Sequence, residues 1–217
     1  MDEPQDTWPL PLYNPGAVKQ LHALGVIANN YCEFEDRLIA LAFHHLDIRK
    51  IERKTSEAFF FELTESKRLD FTKMIFALNE KDSDVLHCIE RLVKYFEWAK
   101  ETRNNLVHAR QHRPLISEEH TVQLVKRTRK NSDLRYLQFK LHELRAIADQ
   151  MHHGVTWCAT ISVYLRLRDN PTDALQWAFA DTHVALPKIP DAPKSPNLTD
   201  APPPPDIPQY LRKPSGP

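Results

Sequence analysis

Glycine is scarce in this chain: only Gly16, Gly25, Gly154 and Gly216 occur among 217 residues. Glycine-rich phosphate loops need several residues without a side chain at fixed spacing, so nucleotide-binding folds built on such loops are excluded. Cysteine is equally sparse. Cys32, Cys88 and Cys158 are odd in number, far apart and set among apolar residues at helical spacing. They read as reduced core residues, not as a disulfide framework or a zinc site. No uninterrupted apolar run approaches the roughly 18 residues a membrane span requires. The acidic, proline-bearing start "MDEPQDTWPLPLYNP" does not resemble a secretory signal. A cytoplasmic location with no membrane association is the expectation. Net charge is zero, although residues 14–168 hold 25 Lys and Arg against 20 Asp and Glu, a mild bias toward a polyanionic partner.

Proline is absent from residues 16–113, which permits long helices there, and twelve prolines crowd into residues 171–217. A first helix is predicted from the cap Asn14 and Pro15 to about His45. A second is expected over residues 55–80 and a third from Asp82 or Ser83 toward the break at Pro114. "TVQLVKRT" and "LRYLQFKL" then alternate every second residue around "RKNSD", which reads as a β-hairpin. A fourth helix is expected over residues 141–168, with Leu144, Ile147, Met151, Val155 and Cys158 on its apolar stripe. No internal repeat is evident. The fold class is therefore all-α: a four-helix up-down bundle over residues 14–168, with a hairpin inserted at 121–140. An acidic arm (1–13) precedes it, and a proline-rich tail (169–217) follows, in which "PTDALQWAFA" reads as a short docked helix and the residues beyond about 185 as mostly disordered and partly polyproline II.

Two charges fall where apolar residues belong. At about 100° per residue, Leu24, Ile27, Tyr31, Leu38 and Leu41 form an apolar arc on the first helix, with Glu35 near its centre. On the third helix Ile89, Leu92, Phe96, Ala99 and Leu106 form the arc, and Arg103 lies near its centre. A buried charge without a partner is strongly disfavoured. Glu35 and Arg103 are thus expected to face each other or to share a site; an ion pair that merely fixes helix register explains them equally well. The neighbourhood favours more than register. Asn104 and His108 are four residues apart and share a face. Arg103 and His108 lie about 140° apart on an ideal helix, so they converge only if the arginine bends round or a second subunit completes the site.

"RNNLVHA" resembles the R-x4-6-H signature of the HEPN superfamily, and its placement near the end of the third long helix, with Glu35 in the first, extends the resemblance over roughly residues 15–168. That resemblance implies an all-α domain that forms a homodimer through its motif-bearing helices. It also implies a metal-independent endoribonuclease without cofactor, acting on RNA in a toxin–antitoxin or other defence setting, with an antitoxin or regulatory protein as a partner. Arg103 and His108 would be the catalytic pair, with Asn104 and Glu35 supporting the site. The chemistry suits the residue types. Histidine exchanges protons near neutral pH, and a permanently charged guanidinium grips phosphoryl oxygens. Some members are inactive, so a catalytically silent helical dimerisation or interaction module is the alternative.

The remaining motifs are weaker. Lys126, Arg127, Arg129 and Lys130 make the hairpin basic, which fits RNA binding or an RNA-binding adaptor; read alone, it is a solvated edge protected by charge. Tyr136 and Phe139 either stack bases or pack on the bundle. His108 and His112 have helical metal-pair spacing but lack the glutamate of H-E-x-x-H, and no metal site is expected. His44, His45, His152 and His153 are expected at helix surfaces or bundle ends. "EAFFFEL" reads as core plus a dimer or hairpin contact. "APPPPDIP" has the composition of a ligand for a proline-recognising module, or of an unstructured extension.

Overall fold

The computed structural model describes residues 18–48, 52–107, 110–111, 121–127, 134–170, 184–196 and 199–200. Most of these are helical. The helices are α1 (Val18–Ile48), α2 (Arg53–Glu62), α3 (Glu65–Asn79), α4 (Ser83–Val107) and α5 (Leu141–Asp169). α1 packs mainly along α5 and also touches α3 and α4, while α4 contacts both α3 and α5. Phe34, Leu38 and Leu41 of α1, Leu92 and Phe96 of α4, and Leu144, Met151 and Ile161 of α5 fill the core. The closest approach falls at Gly154, where an added Cβ would lie 2.5 Å from the Phe34 ring. The stripe read from α5 is thus the face that meets α1.

Where one second helix was expected there are two, α2 and α3. The chain breaks at Leu63 (ψ 142°) and Thr64 (ψ 155°), both extended. Packing gives the reason. Phe60 and Ile75 share one small cluster with Ala42, yet a straight helix would hold residues fifteen apart separated by about 22 Å. Folding α2 back also sets the Phe60 and Phe71 rings 5.2 Å apart. Phe61, by contrast, is left exposed. Neither proline nor glycine marks this break.

The third helix is shorter than expected. α4 stops at Val107, and Arg110–Gln111 form strand β1. With β2 (Thr121–Arg127), β3 (Leu134–Lys140) and β4 (Thr199–Asp200) it makes an antiparallel sheet in the order β1-β2-β3-β4. Thr121 pairs with Lys140 and Arg127 with Leu134. Phe139 is buried in the main core, so of its two readings packing is the one observed.

The proline-rich region also departs from expectation. Residues 184–196 carry no regular secondary structure and pack along α4, with Ile189 buried in the main core. Leu186 and Ala192 pack beside Ile189 on the same core. The short helix read at 171–180 lies outside the described residues. Cys32 is exposed, unlike the buried Cys88 and Cys158, so the core reading fails for it; all three are free thiols. None of the described helices is long and apolar enough to cross a membrane.

Candidate functional site

Tyr31 and Glu35 sit one turn apart on α1 and look toward α3 and α4. Glu35 does not take Arg103 as its direct partner. Its Oε1 accepts from Arg68 Nη1 at 3.0 Å, and Arg68 also donates through Nε to the Leu63 carbonyl at the helix break. The break that separates α2 from α3 thus sets Arg68 in position to pair with Glu35. Burial pushes the Glu35 carboxyl above its ordinary range, against the pull of Arg68.

A second carboxylate, Glu65, is also occupied. It accepts from the Tyr31 hydroxyl and lies 3.2 Å from Lys100 Nζ. Lys100 donates in addition to Ser66 Oγ at 3.0 Å. Burial, then the hydrogen bond to Glu65 and the charges of Glu65 and Glu35, push the Tyr31 phenol well upward, with Arg103 opposing. Tyr31 stays protonated at neutral pH. Both Glu35 and Arg103 therefore act on one hydroxyl, although they do not pair.

Arg103 is left over. Its Nη1 donates to Asn104 Oδ1 at 2.9 Å, and its Cζ stands 5.3 Å from the centroid of the Tyr31 ring. That ring is fixed in turn by stacking on Phe96 at 5.4 Å. Arg103 Nε is buried with no hydrogen-bond partner. Among the described residues no carboxylate pairs with Arg103. Cation–π contact and one amide oxygen compensate a guanidinium only in part.

Next to Asn104 an open groove of about 580 Å³ runs between α3 and α4. Leu69, Asp70, Glu97, Lys100, Glu101 and Asn105 contribute to its walls. Glu97 is engaged by Lys73 at 2.8 Å. His108 lies outside the described residues, as do Arg129, Lys130, His112 and the side chains of Lys126, Arg127 and Tyr136. Among the described residues no group of three His, Cys, Asp or Glu could hold a metal ion.

The other end of the bundle carries a second polar cluster. Arg168 grips both oxygens of Glu80 at 3.1 and 2.9 Å and both oxygens of Asp169 at 2.6 and 2.9 Å. His44 Nε2 lies 2.8 Å from Asp169 Oδ2, and His45 Nε2 lies 3.5 Å from Glu80 Oε2. His45 is buried edge-on to Phe76. The expectation of a bundle-end position holds for these two histidines, but a surface position does not hold for His45.

Sequence reasoning missed Tyr31, Glu65, Arg68 and Lys100. Tyr31 was counted as an apolar residue. Glu65 and Arg68 carry a signal, a charged pair three apart on one helix, but their facing direction depends on the unmarked break at Leu63. Compared with family models, with curated proteins and with solved structures, the chain matches none.

Proposed function

We propose that the chain is a HEPN-like helical domain acting as a metal-independent endoribonuclease, with Arg103 and His108 as its reacting pair. The observation that carries this reading is the guanidinium of Arg103, which no carboxylate among the described residues pairs and which Asn104 and the Tyr31 ring compensate only in part. Two carboxylates lie in its neighbourhood, and both are committed elsewhere, Glu35 to Arg68 and Glu65 to Lys100 and Tyr31. A half-buried cation without a counter-ion is costly. Phosphodiester oxygens would compensate it, and they are the charge that must be stabilised during cleavage.

The 2′-hydroxyl of RNA is the nucleophile. It attacks the adjacent phosphorus, the 5′-oxygen leaves, and a 2′,3′-cyclic phosphate and a 5′-hydroxyl result. Arg103 neutralises the phosphoryl oxygens as charge gathers on them. Asn104 holds the guanidinium through the 2.9 Å contact. His108 removes or returns a proton, and a second copy packed through α4 supplies a second histidine. Glu35 supports the site through Arg68 and Tyr31, and no longer as the partner of Arg103. The basic hairpin, with Lys126, Arg127, Arg129 and Lys130, tracks the RNA backbone, in a toxin–antitoxin or defence setting.

The test is cleavage of unstructured RNA in the presence of a chelator. His108→Ala and Arg103→Ala abolish the cyclic-phosphate product, while His108→Ala melts within about 2 °C of the wild type if its role is chemical. Wild-type product levels from His108→Ala exclude the assignment. One observation favours the second reading, an inactive interaction module. The groove beside Asn104 is lined by Asp70, Glu97 and Glu101 against Lys100 alone, which repels a polyanion. Under that reading Arg103→Ala lowers the melting temperature and RNA is never cut.

A further inference from the structure

The helix α2 has little of its own to keep it helical. Its ten residues fall short of the roughly 12–15 at which an isolated helix becomes even marginally stable. Its N-cap, Glu52, makes no side-chain cap bond. Packing has to supply the rest, yet among its described side chains only Phe60 is buried. Phe59 and Phe61 lie about 100° to either side of Phe60 and are 49% and 79% exposed. The apolar surface continues onto α3. The Phe59 ring stands 5.1 Å from that of Phe71. Phe71, Met74 and Leu78, spaced i, i+3 and i+7, share one face, and Met74 and Leu78 are 46% and 73% exposed. A side chain of this size presents about 200 Å² when fully open, so Phe59, Phe61, Met74 and Leu78 together leave roughly 400–500 Å² of apolar surface in water.

A patch of that size is large for a single chain and is the kind that marks an interaction face. One side of a stable pair hides about 800 Å², somewhat more than half of it apolar. These four residues supply the apolar share of one such side. Charge says what covers it. Lys54, Ala58 and Glu62, spaced i, i+4 and i+8, form the outward ridge of α2 opposite Phe60, and all three are exposed. Within one chain Lys54 and Glu62 stand about 12 Å apart along the axis, too far to pair. A second α2 laid antiparallel on the first, Ala58 against Ala58, brings Lys54 of each copy beside Glu62 of the other. The small alanine lets the two axes approach, and Phe59 and Phe61 close on both flanks. A ridge that complements its own reverse suits a twofold contact, in which residue i meets j and j meets i.

We propose that the face built by α2 and α3 docks a second copy of this chain through an antiparallel α2 pair centred on Ala58. Covered in this way, α2 gains the burial that its length and its single inward phenylalanine do not provide. The contact uses α2 and α3, not α4, and does not depend on the ribonuclease reading.

Sedimentation equilibrium of the full chain tests it. Phe61→Asp changes an exposed position, keeps the helical circular dichroism of the wild type and has half its mass at micromolar concentration. Lys54→Glu and Glu62→Lys each set like charges together at both ends of the pair and weaken association about tenfold. An equimolar mixture of these two variants restores the wild-type affinity, because each copy then meets its opposite. Neither an effect inside one chain nor a different partner is rescued by mixing. Should Phe61→Asp lose helix, the mixing result still decides. Equal masses for the wild type and a helical Phe61→Asp overturn the proposal, whether both are single copies or both are joined through α4. Wild-type association in either charge variant alone, or association lost in both and not regained on mixing, overturns the antiparallel pair.

Discussion

Replacing Gly154 with alanine sets two known effects against each other. Alanine in a helix interior gains about 1 kcal/mol over glycine. The new Cβ, however, would stand 2.5, 2.6 and 2.7 Å from three carbons of the Phe34 ring. Ordinary carbon contacts begin near 3.5 Å, so the ring must retreat by about 1 Å. It has nowhere to go. Phe34 is fully buried and packs edge-on to Phe96 at 5.2 Å. Overpacking of this kind costs about 1–3 kcal/mol, and a closed site puts it toward the upper end. The net loss is about 1–2 kcal/mol, which lowers the melting temperature of a chain this size by roughly 2–8 °C. Gly25→Ala is the internal control. Nothing lies within 4 Å of a Cβ there, so the helix term acts alone and melting rises by about 1–4 °C. Scanning calorimetry of both variants reads the sign directly. If Gly154→Ala melts at or above the wild type, the packing of α1 on α5 described above is wrong.

Three further outcomes follow from the polar groups. Stability falls as pH drops. Burial holds the His45 imidazole below its ordinary 6.5, and Arg168 holds the Asp169 carboxyl down; Glu80 is also lowered, because burial, which would raise it, is outweighed by Arg168 and the amides of Asp82 and Lys81. Each of these groups binds fewer protons folded than unfolded. Their stabilisation is complete above pH about 6.5 for His45, and above about 4 for the carboxylates, and each is lost as pH falls toward the lowered value. Glu35, raised by burial, opposes this in the carboxylate range. Urea midpoints at pH 7.5, 6 and 5 should decrease in that order, and a flat profile contradicts the cluster. Glu80→Gln weakens a two-pronged grip by Arg168 on a carboxylate that is 4% exposed, and costs about 2 kcal/mol in urea unfolding; no change means the contact is not made. Under native conditions a thiol reagent modifies Cys32 first. Cys158 is held up by burial and the Cys88 thiol is pushed up to about 11, so both react more than tenfold more slowly; equal rates contradict their burial.

The helical character was legible because the long proline-free span and the 3.6-residue pattern speak for themselves. Arg103 was legible too, as a charge inside an apolar arc. Its relation to Glu35 was not. Which guanidinium Glu35 takes depends on where α3 begins, and that break is dictated by Phe60 and Ile75 meeting Ala42, a tertiary demand with no local mark. The proline-rich stretch at 184–196 was legible as partly polyproline II, but its docking on α4 was not. Its period of three is neither the helical 3.6 nor the strand 2, and proline-rich composition is shared by disordered chains. The end of α4 at Val107 reflects competition with β1, a long-range pairing.

The central claim is that Arg103 is the charge reserved for phosphate, while Arg68 serves the fold. Its most direct test is the affinity of a non-cleavable 2′-O-methyl RNA oligonucleotide at fixed salt for Arg103→Lys and Arg68→Lys. The account predicts that Arg103→Lys weakens binding about tenfold or more with little change in melting, since a point charge replaces a planar fork, whereas Arg68→Lys melts earlier and binds as before. Equal affinity in Arg103→Lys and the wild type, or loss confined to Arg68→Lys, contradicts it.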